Sequence, residues 1–363
     1  LTQLLKRLPR SGSCFELFGF DADRFAFAES SAGGATGSET EFVAVPSGAS
    51  VAANSLWHLS GYPGFARRRQ YRTCFFPAAN RRLPYRSPCP TVGTVHDLAA
   101  YCGPKANREH LGALLRMLLP DALRHVDRLI AVSQWVKDEL VEVARVPESR
   151  IDVVPDGVDL AAFYPRPRNE DSVVLIQPFS IRRPYILYAS RIDHPVKNHL
   201  KLIEAFAVFK ERTRFPHRLV LAGSERQGAA AVQRAAAESP YRTEIFFTGH
   251  FPMKNLPELY AGADLVVVPS RYEGFGMPAL EAMASGVPVA CARAASLPET
   301  ADQAALYFDP DDAEDMADRI VTLTTDRETY KECRRRGLER AQAFSWDRTA
   351  EATFKILEEM GAK

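Results

Sequence analysis

From Tyr185 to Phe308, short runs of apolar and often β-branched residues alternate with longer stretches in which apolar residues fall three and four apart. The short runs lie near Tyr185–Ala189, Arg218–Ala222, Glu244–Thr248, Asp264–Val268, Val287–Cys291 and Ala305–Phe308. Strands buried on both faces read as continuous apolar runs, whereas a helix packed on a sheet shows one apolar stripe. Asn198–Arg212 has such a stripe in Leu202, Ala205, Phe206 and Phe209. This rhythm predicts a parallel, doubly wound sheet. Asp311–Ala343 then predicts two helices, and Asp347–Met360 a last one, introduced by Phe344-Ser345-Trp346.

The first half carries the same signal more weakly. Leu1–Leu8 reads as helix, and Cys14–Phe20, Glu41–Val45, Tyr71–Phe76, Thr91–Val95, Asp127–Val132 and Ile151–Val154 read as strands. Ser50–Ser60 and Arg108–Arg124 read as helices, the second interrupted by Pro120. Ser133 fits an N-cap for Gln134–Ala144. Ser30–Thr40 is a low-complexity loop. Its Gly33-Gly34 precedes a strand rather than a helix, so the context of a phosphate loop is missing. Phe163–Pro184, rich in proline and charge, reads as a linker between domains, with a VVLI run in its middle. A doubly wound domain opens with a strand and a glycine turn. This chain opens on a helix, so that first strand and turn are expected to be absent from it.

Length and composition narrow the field. At 363 residues two domains are expected. A net charge of +1, with 25% charged and 46% hydrophobic residues, fits an ordinary soluble protein and argues against a general nucleic-acid binder. The six cysteines form no C-x-x-C pair and read as reduced thiols of a cytoplasmic protein. No apolar run is long enough to span a bilayer, and no signal peptide is visible. Charge is uneven, however. Gly61–Pro90 holds seven arginines (67, 68, 69, 72, 81, 82 and 86), no acid, and the interleaved aromatics Tyr62, Phe65, Tyr71, Phe75, Phe76 and Tyr85. Either this is a solvated basic loop with scattered core aromatics, or it meets an anionic membrane or a phosphorylated acceptor.

Candidate chemistry concentrates in ADLVVVPSRYEGFGMPALEAMASGVPVA, residues Ala263 to Ala290. The string reads as a buried strand, a glycine turn, a helix over Ala279–Ala284 closed by Gly286, and another strand. Glycines admit a ligand close to the backbone, and the unpaired N–H groups at a helix start suit phosphate. Glu273 stands before the turn, where it can accept hydrogen bonds from sugar hydroxyls. Glu281, seven residues further along, lies deeper and can hold a ribose diol.

These residues resemble the E-x7-E signature of retaining glycosyltransferases, and EGFGMPALEAMASGVPV is similar to glycosyltransferase family 4. The resemblance covers most of the chain. It implies the GT-B fold, in which two Rossmann-like doubly wound domains face each other across a cleft and the last helix crosses back to the first domain. The expected division is 1–170 for the acceptor-side domain, 171–346 for the nucleotide-sugar domain and 347–363 for the returning helix. In Ser190–Lys197, Arg191 and Lys197 match the family's R…K pair after a strand, which neutralises the leaving diphosphate. Gly274, Phe275, Gly276 and Met277 would bind diphosphate and sugar with them, and the backbone of Gly249 and Phe251 would border the nucleobase. His96 ends the strand Thr91–Val95 in an H-D step that faces donor and acceptor in the family, with Asp97 capping or orienting it. Asp156-Gly157 departs from the family's usual asparagine-glycine; both residues suit a turn, and no functional role follows from it.

The implied activity is retaining transfer of a hexosyl group from a GDP- or UDP-sugar to a glycan or lipid-linked acceptor. The setting would be bacterial surface polysaccharide or glycolipid synthesis, in the cytoplasm or at the inner face of the membrane. No D-x-D string ends a strand, since Asp309-Pro310-Asp311 opens a late helix, so the expectation is catalysis with no cofactor and no metal. Two rivals stand beside this reading. One is another enzyme of similar fold, a phosphorylase or epimerase; the other is a non-catalytic nucleotide-sugar-binding module. A dehydrogenase is disfavoured, because no G-x-G-x-x-G follows a strand.

Overall fold

A computed structural model of the chain describes residues 1–8, 14–19, 40–45, 57–80, 83–102, 113–167, 173–176 and 179–362. The loop expected at residues 30–39, the first part of the helix expected from Ser50, Arg81, Arg82 and residues 108–112 lie outside the described residues. The chain divides into two compact units. The first holds Leu1–Cys102, Leu111–Gly157 and Ser345–Lys363, and the second Val158–Phe344.

In the first unit β1 (Phe15–Gly19) and β2 (Thr40–Ala44) pair in parallel. Four further strands, β3 (Cys74–Phe76), β4 (Thr91–Val95), β5 (Arg128–Ala131) and β6 (Ile151–Val153), form a parallel sheet in chain order. All five residues of β4 are buried, as expected of a strand covered on both faces. One cover is the helix Trp346–Gly361, whose Ile356 and Met360 pack among Val92, Ile130 and Val154. Its start is fixed locally. Ser345 caps it by accepting from the Arg348 amide at 3.2 Å, and the Thr349 hydroxyl donates to the Pro155 carbonyl at 2.7 Å. Gly157 sits so close that a Cβ there would stand 2.2 Å from the Trp346 nitrogen. Glycine is needed at this turn for room, not for a left-handed backbone.

Two expectations for this unit change. The basic segment opens with a helix, Tyr62–Arg69, rather than a loop. Tyr62 and Ala66 are buried on one side of it, while Arg67, Arg68 and Arg69 are exposed in its last turn, where cations complement the helix dipole. The aromatics turn inward. Phe18 is the hub of a cluster with Trp57, Tyr62, Phe65, Tyr71 and Phe76, at ring separations of 5.6 to 6.4 Å. Pro120 does not break its helix, which runs unbroken over Ala113–His125. The missing N–H removes one rung of the ladder, and the rungs on either side carry the helix past it.

In the second unit the proline-rich stretch read as linker carries an antiparallel hairpin, β7 (Val173–Ile176) and β8 (Phe179–Arg182). Six parallel strands follow: β9 (Tyr185–Ala189), β10 (Arg218–Ala222), β11 (Ile245–Gly249), β12 (Leu265–Val268), β13 (Val289–Ala292) and β14 (Ala305–Phe308). Their order is β11-β10-β9-β12-β13-β14. The first strand of this sheet in chain order, β9, is thus central, and strand order reverses between β9 and β12. In open parallel sheets, ligands bind in the crevice outside the carboxyl ends at such a reversal. The helix His199–Thr213 buries Leu202, Ala205, Phe206 and Phe209, the stripe read from the sequence. Among the described residues, no helix is long and apolar enough to cross a membrane.

Candidate active site

The reversal point brings two loops of the second unit together. The loop leaving β9 holds Arg191 and Lys197, and the loop leaving β12 holds Ser270 and Glu273. They are zipped at the backbone, where the Arg271 amide donates to the Val196 carbonyl at 2.9 Å. Asn198, only 1% exposed, ties in a third loop. Its amide nitrogen donates to the carbonyls of Pro269 at 3.1 Å and Pro310 at 2.7 Å, and its oxygen accepts from Arg271 at 2.7 Å. Arg271 also pairs with Asp311, so this acid of the late D-P-D string serves the scaffold.

Within that frame Lys197 donates to Oε1 of Glu273 at 2.6 Å. The Ser270 hydroxyl donates to the same oxygen at 2.7 Å. Since the Ser270 proton goes to Glu273, the buried Tyr188 hydroxyl, 2.7 Å from Ser270 Oγ, is the donor in their contact. Lys197 and Glu273 keep 14% and 11% of their side-chain surface. Both bonds fall on Oε1, and Oε2 has no hydrogen-bonding protein partner among the described residues. That oxygen is available to a ligand hydroxyl. Arg191 is exposed, and among the described residues its guanidinium meets no carboxylate. One cation is therefore wired to the site's acid and the other is unspent.

The glycine turn opens the helix Met277–Ala284. Gly276 precedes it with φ +102°, a left-handed conformation that favours glycine, and no side chain caps the helix start. The N–H groups of its first turn thus have no competing side-chain acceptor. Phe275 does not offer its ring. It is buried edge-on against Phe344 with centroids 5.5 Å apart, while its carbonyl accepts from Thr300. Gly274, Phe275 and Gly276 are all buried, and Met277 is partly so. The Glu273 carbonyl accepts from the Ser296 hydroxyl at 2.8 Å, which pins the loop from the far side.

Glu281, on that helix, keeps a small accessible edge, but its carboxyl is enclosed on nearly all sides. Burial pushes the carboxyl up to about 7. The Tyr260 hydroxyl beside it offsets part of the shift, without a hydrogen bond of good geometry. Gly249 ends β11 with φ +63° and open space where a Cβ would be, and Phe251 just beyond is buried.

His96 belongs to the first unit, at the carboxyl end of β4. Its Nε2 lies 2.9 Å from the Pro77 carbonyl, and its Nδ1 lies 3.6 Å from Asp156. The neighbouring Asp97 turns to the backbone and accepts from the Ala99 amide at 3.2 Å. The ring's partner is thus not the acid beside it in sequence but one sixty residues away, placed by the parallel neighbours β4, β5 and β6. Ser270, Tyr188 and Asn198 complete the second unit's site. Ser270 stands inside the glycine-turn string, but nothing in the sequence ties Tyr188 or Asn198 to it.

Comparisons with known proteins bear on the family and the fold. The family model described as Glycosyltransferase Family 4 matches residues 3–162, and that described as Glycosyl transferases group 1 matches residues 176–340. Anabaena Alr3699/HepE, solved in complex with UDP and glucose, superposes with a TM-score of 0.72 over 98% of this chain and 94% of its own, at 18% identity. The two Rossmann-like units are those of the GT-B fold. The O-antigen chain mannosyltransferase B of Escherichia coli is 30% identical over 292 residues, 80% of this chain and 76% of that protein. The D-inositol 3-phosphate glycosyltransferase of Nocardia farcinica is 30% identical over 313 residues, 82% of this chain but 64% of its own length, so this chain spans under two thirds of that relative. The chain belongs to glycosyltransferase family 4.

Proposed function

We propose that the protein is a retaining glycosyltransferase that moves a hexosyl group from a GDP- or UDP-sugar to a glycan or lipid-linked acceptor. The observation that carries this reading is the knot of Lys197, Ser270 and Glu273 at the strand-order reversal, with the unspent Arg191 on the same loop. The diphosphate lies against Arg191, Lys197 and the helix start at Gly274–Met277. Glu273 accepts from sugar hydroxyls through Oε2, and Glu281 accepts from the ribose. The backbone at Gly249 and Phe251 borders the base.

In the reaction, the bond between the anomeric carbon and the phosphate oxygen breaks as the acceptor oxygen bonds to the same face of that carbon. The acceptor proton passes to the departing phosphate. Arg191 and Lys197 offset the charge that grows on the diphosphate, so no metal ion is needed. His96 contacts donor and acceptor. Both its ring nitrogens face acceptors of the protein, so neither is turned toward an acceptor hydroxyl as a general base would be, which supports retention over inversion. The likeness to an O-antigen mannosyltransferase supports a role in bacterial surface polysaccharide synthesis. The proposal extends to a glycolipid acceptor and to work at the cytoplasmic side of the membrane.

The test is turnover of α-linked GDP- and UDP-hexoses in the presence of EDTA, with NMR of the new anomeric centre. An α-linked product formed under chelation is expected. A β-linked product makes His96 a base, and activity restored only by Mg²⁺ or Mn²⁺ removes the cationic pair from its role. Phosphorolysis of a glycan by inorganic phosphate alone would point to a phosphorylase instead.

A further inference from the structure

The Asp156-Gly157 step has the composition of a simple turn, yet the fold puts it to use. Asp156 Oδ2 lies 3.6 Å from His96 Nδ1, and the opposite ring nitrogen, Nε2, lies 2.9 Å from the Pro77 carbonyl. A carbonyl oxygen only accepts, so Nε2 carries a proton. A neutral ring with its single proton on Nε2 would aim the Nδ1 lone pair at a carboxylate. A second proton, on Nδ1, turns that repulsion into a charge-assisted contact.

The groups facing the ring come from two elements: Asp156 follows β6, and the Pro77 carbonyl follows β3. Burial pulls the ring's pKa down; the contacts with Asp156, helped by Pro77, outweigh it, so the net direction is up from the ordinary histidine value. Asp156 is itself held in place. It is 14% exposed in its side chain, and its neighbours Pro155 and Gly157 are clamped by Thr349 and Trp346 of the last helix.

We propose that Asp156 is a positioning residue that fixes the orientation of the His96 ring and keeps a proton on both its nitrogens. With both N–H groups turned to the protein, His96 then meets the substrate as a fixed positive charge and not as a base. The inference rests on the reading of His96 given under Proposed function. It also explains a departure from the family pattern: the aspartate adds a charge that the usual asparagine lacks.

The test is Asp156→Asn in the full chain. Asparagine keeps the size and turn preference and removes only the charge. The His96 ring is followed by NMR titration of isotope-labelled histidines, its signal assigned by its loss in His96→Gln. The His96 pKa is expected to fall by about one unit in Asp156→Asn and to recover in Asp156→Glu. The alkaline limb of kcat is expected to move with it, while KM for the nucleotide sugar changes little. An unchanged titration in Asp156→Asn overturns the proposal. So does a shifted titration with a pH–rate profile that stays in place. If His96→Gln is fully active, the reading of His96 fails, and the titration alone still decides whether Asp156 holds the ring's second proton.

Discussion

Two stretches of this chain gather positive charge, and the fold treats them in opposite ways. The loop after β9 carries Arg191 and Lys197 to a strand-order reversal, where Lys197 is mostly buried on Glu273 and Arg191 is left unspent. The helix Tyr62–Arg69 carries three arginines to an exposed terminus, where they complement its dipole, and its aromatics serve the interior. The second stretch has more cations and less of a site. Charge becomes chemistry where topology converges it with a carboxylate at low exposure, because there a lost partner is not replaced by water.

That contrast is first sharpened inside the β9 loop. Lys197→Ala and Arg191→Ala should each lower turnover by about 10²–10³ if both neutralise the leaving group. Their effects on folding should differ. Lys197→Ala leaves Glu273 enclosed without its cation, at a cost of about 3 kcal/mol. Arg191→Ala touches no ion pair and should stay within about 0.5 kcal/mol of the parent. Steady-state kinetics beside urea unfolding read both quantities. Equal stabilities for the two variants would break the distinction between the wired and the unspent cation, and near-normal turnover in both would remove them from catalysis.

The two glutamates extend the comparison from cations to acids. Glu281→Gln should weaken free UDP or GDP by about 10- to 100-fold, the worth of a charged hydrogen bond. Glu273→Gln should spare the free nucleotide and weaken the sugar donor. Glu281 adds a pH signature. Its carboxyl is raised to about 7 by burial. Ribose hydroxyls donate to the ionised form, so binding stabilises that form, lowers its pKa and releases a proton. Affinity should therefore fall as pH drops below about 7, with a limiting slope of about one decade per unit. Calorimetry in buffers of different ionisation enthalpy should detect the released proton, and Glu281→Gln should abolish it. Affinity independent of pH from 5 to 8 would place the ribose elsewhere.

What the sequence showed and what it hid divide along the same physical line. β9, β10 and β14 have the same bounds as the apolar runs, because strands covered on both faces leave a continuous signature. The stripe Leu202, Ala205, Phe206 and Phe209 is buried because a helix on a sheet has one face to bury. The glycine turn and the two glutamates were legible because their elements are adjacent in the chain. Pairings across elements were not. Lys197 and Glu273 are 76 residues apart and were read as separate ligands of one substrate, although they neutralise each other before any ligand arrives. Asp156 read as a turn residue because turn preference is local, whereas its contact with His96 is set by the order of β4, β5 and β6. The aromatics of the basic segment read as interleaved with the arginines. In the fold, Tyr62 and Phe65 pack against Phe18 while the arginines of the same helix stay outside.

The smallest effect belongs to those exposed arginines, and it tests whether the basic region contacts a membrane at all. With Tyr62, Phe65, Tyr71 and Phe76 committed to the cluster around Phe18, the helix has few aromatic rings to insert into a bilayer. Any attraction to anionic lipid must then be mainly electrostatic, about 1 kcal/mol for each arginine near the surface. Arg69 contributes less, because it already pairs with Glu16 at 2.9 Å. Binding to anionic vesicles should be measurable at low salt and fade as the screening length shrinks toward 8 Å at physiological ionic strength. Changing Arg67, Arg68 and Arg69 to serine should weaken it by about tenfold or more, with stability lowered by no more than about 1 kcal/mol through the lost dipole and Glu16 contacts. Kinetics with a water-soluble acceptor should not change. Vesicle binding that persists in high salt would mean that apolar groups insert after all, and would overturn the inward assignment of the rings. No binding at low salt, with unaltered kinetics toward a lipid-linked acceptor in the triple variant, would leave the arginines as a solvated helix terminus.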